Sequence, residues 1–541
     1  MRCVLAIVWV SGLIALAEAQ PQKAEKYIRR GMDLMDIEDY NNALAEFEAA
    51  MQANPFSAEA YLQGAYCAYR LRQNRKAREY FQKAEQMQVN FSPRYLVAYA
   101  DVLQRLGEPA KARPLVERAL AQLKPSDPMY DKLKTTLQQL KNAENYIAQP
   151  LKVEIRNLGP QINSPYPDFA PVISADESVL YFTSRRPGST GNKIASDGLH
   201  FEDIYVSENQ NGQWTPARNV GSPLNSATHD ACIALSADGQ TLFLFNSDNG
   251  GDIFQSRLKG TRWLPPKNLG SPINSKYWEP SVCLSADERT LFFVSDRPGG
   301  MGGRDIYMCR RLPNGKWSAP INLGPPINTP YDEDGPFFHP DGKTLFYSSN
   351  GPNSMGGFDI FRSEIRPDST WSPPINLGYP INTPGDDIYF VLSASGLHGY
   401  YASERDDSYG EKDIYLVDFS TLQVASTPPQ ETKEEELNVT SEPSAAPVFR
   451  PNLTLVTGII YDEETKAPLE ATIVIIDNVR SETLAVLTSN AATGKYLISL
   501  PAGKNYGIAV TASGYAFHSE NFIVEESMGY REVRKDIGLN R

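Results

Sequence analysis

Five carboxylates recur at one fixed offset in the middle of this chain. Asp168, Asp230, Glu279, Glu333 and Asp387 each stand five residues after the second Asn of a motif close to N-[LV]-G-x-P-[IL]-N-[ST], which begins at Asn157, Asn219, Asn268, Asn322 and Asn376. Gathered at one mouth of a channel, such a ring would focus negative potential in a low-dielectric funnel and favour a cation or a basic ligand group. The competing reading is structural: each carboxylate accepts hydrogen bonds from backbone N–H groups of its own turn. Strand alternation puts Gly-rich loops on the same face, with Arg185 and Arg297 as candidate ligand contacts. These loops lead into strands and lack a G-K-[ST] ending, so they do not read as nucleotide cradles.

Other chemistry is sparse. His200, His229, His339, His398 and His518 follow no metal-ligand spacing, and neither G-x-S-x-G nor H-E-x-x-H occurs. A glycosidase carboxylate pair assembled from distant repeats would leave no local signature. The expectation is therefore no catalytic residue, no cofactor and no assigned metal, a channel-mouth cation being the one bound species the ring points to. Cys67, Cys232, Cys283 and Cys309 match neither redox nor zinc spacing and read as small buried apolar residues. A formal charge of −13 and a pI near 5.1 argue against nucleic acid.

The carboxylates need elements to position them. Each motif is followed by a half-buried strand, a turn such as Ser236 to Gly239, an aromatic strand, a Gly-rich loop and then Asp-Ile-Tyr or Asp-Ile-Phe, at Asp203, Asp252, Asp305, Asp359 and Asp413. In four copies a Trp-containing stretch follows (Trp214, Trp263, Trp317, Trp371). Four-stranded units of this length cannot cover their own faces and pack radially. The last repeat stops after its third strand near Asp418, while Leu151 to Leu158 offers a spare strand. The expectation is an all-β propeller over 150–419 with five blades, six being the alternative.

Residues 21–149 have helical periodicity with a 34-residue repeat: Gly31, Leu34, Ala43, Phe47, Ala50 and Pro55 are restated by Tyr61, Ala65, Ala68, Ala77, Phe81 and Ala84. An α-solenoid with a capping helix is expected there. Residues 420–451, rich in Pro, Ser, Thr and Glu, read as a disordered linker that frees residues 452–541, a β-sandwich, to engage another component. The first nineteen residues read as a signal peptide, which makes the chain an exported one. No later run approaches the roughly 20 apolar residues of a membrane span.

The helical section resembles tetratricopeptide repeats (TPR), and the S-A-D-G-x-T-L-F and D-I-[YF] phrases resemble the PD40, or WD40-like, repeats of TolB-type propellers. Val456-Thr457-Gly458, Asp462, Pro468-Leu469, Thr493 to Tyr496 and Gly514-Tyr515 resemble a carboxypeptidase regulatory-like domain. In this order the three are similar to envelope proteins of Bacteroidota, some associated with type IX secretion, that usually add an OmpA-like peptidoglycan-binding domain. The sequence ends at Arg541, right after the sandwich, so direct peptidoglycan binding is not carried over. The resemblance implies a periplasmic protein, peripherally associated with the outer membrane, whose helical repeats and propeller face bind envelope proteins. The preferred reading is a non-enzymatic scaffold. The alternatives are a glycan- or peptidoglycan-processing protein and a ligand- or cation-sensing propeller, either of them using the acidic channel mouth.

Overall fold

A computed structural model describes residues 22–195, 197–247, 250–421, 449, 451–525 and 529–541. The expected signal peptide, and nearly all of the expected linker, lie outside the described residues. The chain divides into two units, one up to Ala148 and one from Gln149 onward.

The first unit holds seven helices among the described residues: α1 (22–36), α2 (Tyr40–Ala53), α3 (Ala58–Arg70), α4 (Asn74–Gln86), α5 (Pro93–Arg105), α6 (Pro109–Gln122) and α7 (Pro128–Ala148). Their starts follow from local chemistry. Asp39 and Ser57 cap α2 and α3 through their side-chain oxygens, and Pro opens α5 and α6, where no amide is needed. The repeated small residues Ala43, Ala65, Ala77, Ala100 and Ala112 are buried and let paired helices approach closely. Gly31 belongs to this set, because a Cβ there would stand 2.7 Å from the Phe47 ring.

The second unit begins with five consecutive antiparallel sheets in a propeller-like arrangement. Their innermost strands are Asp168–Ile173, Asp230–Leu235, Val282–Leu284, Glu333–Phe338 and Asp387–Leu392, and each packs against the next, the fifth returning to the first. The third strand of a sheet pairs with the opening Asn of the following motif, as in Tyr205↔Asn219 and Tyr307↔Asn322. Glu154–Asn157 completes the fifth sheet, with Glu154 opposite Asp418. Apolar clusters fill the spaces between neighbouring sheets; one joins Phe292, Ile306, Phe338 and Phe361 across the third and fourth. The four cysteines among the described residues, Cys67, Cys232, Cys283 and Cys309, are buried and free. Burial pushes the thiols of Cys67, Cys232 and Cys283 up to about 12.

Two further four-stranded sheets follow from Leu453 and share a core of Val456, Ile460, Ile473, Tyr496, Ile508 and Val510. The composition of the preceding stretch implies that these sheets move freely. Instead they pack against inner hairpins of the preceding sheets, with Leu453, Leu455 and Leu497 buried beside Ala175 and Ala394.

Candidate functional site

The repeated motif builds a hydrogen-bonded frame. In each copy the first Asn donates to the Asp of an Asp-Ile-Tyr/Phe segment, for example Asn219 to Asp203 at 2.7 Å and Asn376 to Asp359 at 2.7 Å. Its carbonyl oxygen accepts from the Gly two residues on and from the second Asn. That second Asn then mimics a paired strand residue: Asn225 accepts from the Ile204 N–H at 2.8 Å and donates to the Ile204 carbonyl at 3.0 Å. Asn274, Asn328 and Asn382 do the same for Ile253, Ile306 and Ile360.

The five carboxylates sit at or beside the start of the inner strands around one mouth, and none is more than 4 % exposed. Each accepts from the backbone N–H and hydroxyl of the Ser or Thr after the second Asn: Ser164, Ser226, Ser275, Thr329 or Thr383. Arg186 pairs with Asp168 at 2.6 Å, Arg297 with Glu279 at 3.1 Å and Arg405 with Asp387 at 3.8 Å. In the second sheet Asn246 donates to Asp230 instead, and in the fourth Ser349 donates to Glu333. Burial raises the carboxyls of Asp168, Asp230 and Asp387 above the ordinary range, and that of Glu333 to about 7. Arg185 is engaged by Asp197 at 2.6 Å and by Glu202 at 3.4 Å, while Arg297 also donates to the carbonyls of Pro272 and Ile273. Among the described residues no group of three or more His, Cys, Asp or Glu is placed to hold a metal ion.

The rim of the same mouth is made by other residues. The backbone N–H of each ring carboxylate bonds the carbonyl of the residue that precedes the Asp-Ile segment in the neighbouring sheet. Two residues that differ from repeat to repeat are thereby set side by side: Glu202 with His229, Gly251 with Trp278, Arg304 with Asp332, Phe358 with Asp386, and Lys412 with Pro167. Pro167 and Gly251 are buried, and the other eight keep some exposure, a mixed set around the mouth. Glu202 bonds His229, whose ring stacks on Phe201 at 3.8 Å. The Arg304 guanidinium lies 5.3 Å from the rings of both Trp278 and Phe358 and pairs with Asp334. Gly251 makes room for Trp278, since a Cβ would meet that indole at 2.7 Å.

Between these residues lies a cavity of about 260 Å³ lined by Phe169, Ala170, Phe245, Trp278, Pro280 and Tyr389, with Glu202 and His229 at its polar edge. Bulges in the inner strands re-aim side chains here. Ala170 and Tyr389 hold left-handed backbone, with φ of 50° and 61°, a strained state for side-chain-bearing residues that clusters at functional sites. Burial, and next the charge of Arg185, lower the basicity of His229 beside Glu202. Asp334, raised by burial against the pull of Arg304, stands behind Pro280 and Tyr389. Aromatic faces beside a carboxylate–imidazole pair can stack a ring and move a proton at its edge. A larger cavity of about 650 Å³ follows the seam between the first two sheets and the C-terminal sheets. Lys495 and Asp176 on its wall are engaged in the ion pair that joins the two.

No protein-family profile and no curated protein matches this sequence. Solved structures do. A TPR protein with an unusual peptide-binding site is 19 % identical over 25 % of this chain and 69 % of its own, with a TM-score of 0.21. The Bacteroides ovatus xyloglucan PUL GH43B protein is 12 % identical over 68 % of this chain and 92 % of its own, TM-score 0.32. A GH43 β-xylosidase/α-arabinofuranosidase from a compost metagenome is 11 % identical over 49 % and 94 %, TM-score 0.34. The expectation of a non-enzymatic scaffold, and with it of a chain that is no enzyme, is corrected at this point. The propeller-like structures similar to the β region are mostly glycoside hydrolases.

The cavity residues are not marked by what the repeats share. The usable signal was the reverse. Immediately before the constant carboxylate stand Pro167, His229, Trp278, Asp332 and Asp386, different side chains on an identical frame.

Proposed function

We propose that the five sheets are the blades of a closed propeller, that the C-terminal sheets form a β-sandwich, and that the protein, exported to the cell envelope, processes a glycan bound in the aromatic cavity. The observation that carries the reading is the cavity itself: Trp278, Phe169, Phe245 and Tyr389 offer ring faces beside Glu202 and His229, and two of its wall residues are held in left-handed backbone. Sugar rings present apolar C–H faces to such walls, and a carboxylate at the edge supplies one half of the acid–base pair that glycosidic cleavage takes. Glu202 is the carboxylate assigned that role, with His229 tuning its proton. The helical unit is assigned to protein contact in the envelope; no helix among the described residues is long and apolar enough to cross a membrane.

The test is to incubate the full chain with chito-, xylo-, cello- and arabino-oligosaccharides and with peptidoglycan fragments, and to measure new reducing ends. Wild type should cleave at least one probe, and Glu202→Gln should lower that rate by about 10²–10⁴-fold. Absence of both cleavage and calorimetric binding across the panel would overturn the reading.

A further inference from the structure

The C-terminal sheets and the residues just ahead of them touch all five of the preceding sheets, and always at the same end. Lys495 pairs with Asp176 of the first sheet, and Gln240 of the second donates to the Thr488 carbonyl at 2.9 Å. Arg289 of the third donates to the Thr483 carbonyl at 2.6 Å. Phe449, just ahead of the module, meets His339 of the fourth edge-on at 4.9 Å. Gly396 of the fifth lies so close to Pro451 that a Cβ would come within 2.5 Å of it. Every one of these positions belongs to a hairpin between the innermost and second strands or to the residues flanking it. Those hairpins are at the opposite end of the inner strands from Phe169, Glu202, His229 and Trp278.

Seating on five hairpins at once is what a stopper does. A module attached to one sheet would leave the channel open past it, whereas contacts spaced around the ring cover the mouth. The buried cluster of Leu453, Leu455 and Leu497 with Ala175 and Ala394 fills the contact with apolar side chains. The aromatic cavity is then approached from one side only. At about 260 Å³ it also lies below the roughly 300–1,000 Å³ of pockets that enclose a drug-sized ligand.

We infer that the C-terminal module blocks one mouth of the channel and so makes the aromatic cavity a blind pit, which accepts the terminal residue of a glycan chain and excludes internal segments. This rests on the glycan reading above and goes further, because it names chain ends as the substrate class and release of terminal residues as the outcome. An open channel or a surface cleft would let a polymer run through on both sides of the reacting bond. A pit gives the chain one exit, so every internal residue carries two continuing chains where there is room for one.

The experiment is calorimetric titration of the full chain with chito-, xylo-, cello- and arabinotetraose. Each is offered unmodified, blocked by O-methylation of its non-reducing terminal residue, and reduced to the alditol at its other end. The expected result is that one of the two end modifications weakens binding by about tenfold or more while the other leaves it unchanged. Equal binding of the unmodified and both end-modified forms overturns the chain-end inference and leaves the glycan reading standing. Binding of no tetraose in any form removes both.

Discussion

Asn163 and Ile414 are 251 residues apart in the chain, and the side chain of the first pairs with the backbone of the second as a strand residue would: the Ile414 N–H donates to Asn163 at 2.8 Å and Asn163 donates to the Ile414 carbonyl at 2.9 Å. Asn157 donates to Asp413 beside it. The first motif thus performs on the last sheet the task that Asn225 performs on the first, where the partners are only 21 residues apart. Asn163→Ala would leave the buried Ile414 N–H unpaired, at about 1–3 kcal/mol, while the Ile414 carbonyl keeps the Leu158 N–H as a donor. The expected outcome is a lower Tm in both Asn163→Ala and Asn225→Ala. Hydrogen exchange of Glu154–Asn157 should accelerate in the first variant alone, since only there does the lost pair join the two ends of the ring. Unchanged exchange of that strand would show that closure rests elsewhere.

Trp278 is 41 % exposed, a high value for a tryptophan that packs on glycine backbone and under an arginine. Its solvent face belongs to the cavity. Trp278→Ala should therefore leave Tm within a degree or two of wild type while weakening oligosaccharide binding by about tenfold, the order expected for losing one aromatic stacking contact. A variant that binds as wild type does would take the aromatic wall out of the site.

Glu333 differs from the ring carboxylates of the first, third and fifth sheets in having no arginine beside it; Thr329 and Ser349 are its hydrogen-bond donors. Burial, reinforced by the Asp305 charge, raises its pKa from 4.5 to about 7. A carboxyl whose folded value lies above its unfolded one takes up protons on folding. Its stabilising contribution is complete below about pH 4.5 and is lost as pH rises through about 7. Wild-type Tm should fall between pH 5 and pH 8, and Glu333→Gln, which stays neutral, should flatten that fall by a few degrees. Parallel Tm profiles for the two proteins would place the titration at another group.

The frame of this molecule is written plainly in its sequence because repetition exposes it. Asn, Gly, Pro and the ring carboxylate recur at fixed offsets, and each proves to hold a turn or a strand pair. A residue repeated in every sheet does something every sheet needs, and that is why Asp168 and Glu279 are buried in turns while Glu202 and Trp278 reach the cavity. The site was harder to read for a second reason: Phe169, His229 and Tyr389 come from three different sheets, and only closure of the ring brings them together. The seating of the C-terminal sheets was illegible for a third. Ala175 and Ala394 read as ordinary turn residues, and nothing local to them announces the leucines that cover them.

Ala170 offers a way to weigh frame against site directly. Its φ of 50° puts an alanine where glycine is at ease, at a cost of about 1–2 kcal/mol, while glycine gives back about 0.4–1 kcal/mol through the greater freedom of its unfolded chain. Ala170→Gly should thus raise stability slightly, by up to about 1 kcal/mol. The same change removes a methyl group from the cavity wall beside Phe169, which itself stacks on Tyr389 at 6.3 Å. If the strained backbone is kept to aim Phe169 and Tyr389, the relaxed variant should melt higher yet bind oligosaccharide more weakly. A variant that melts lower would mean that the Ala170 methyl matters more for packing than its backbone angle does for strain. A variant that melts higher and binds as tightly as wild type would detach the left-handed turn from the site.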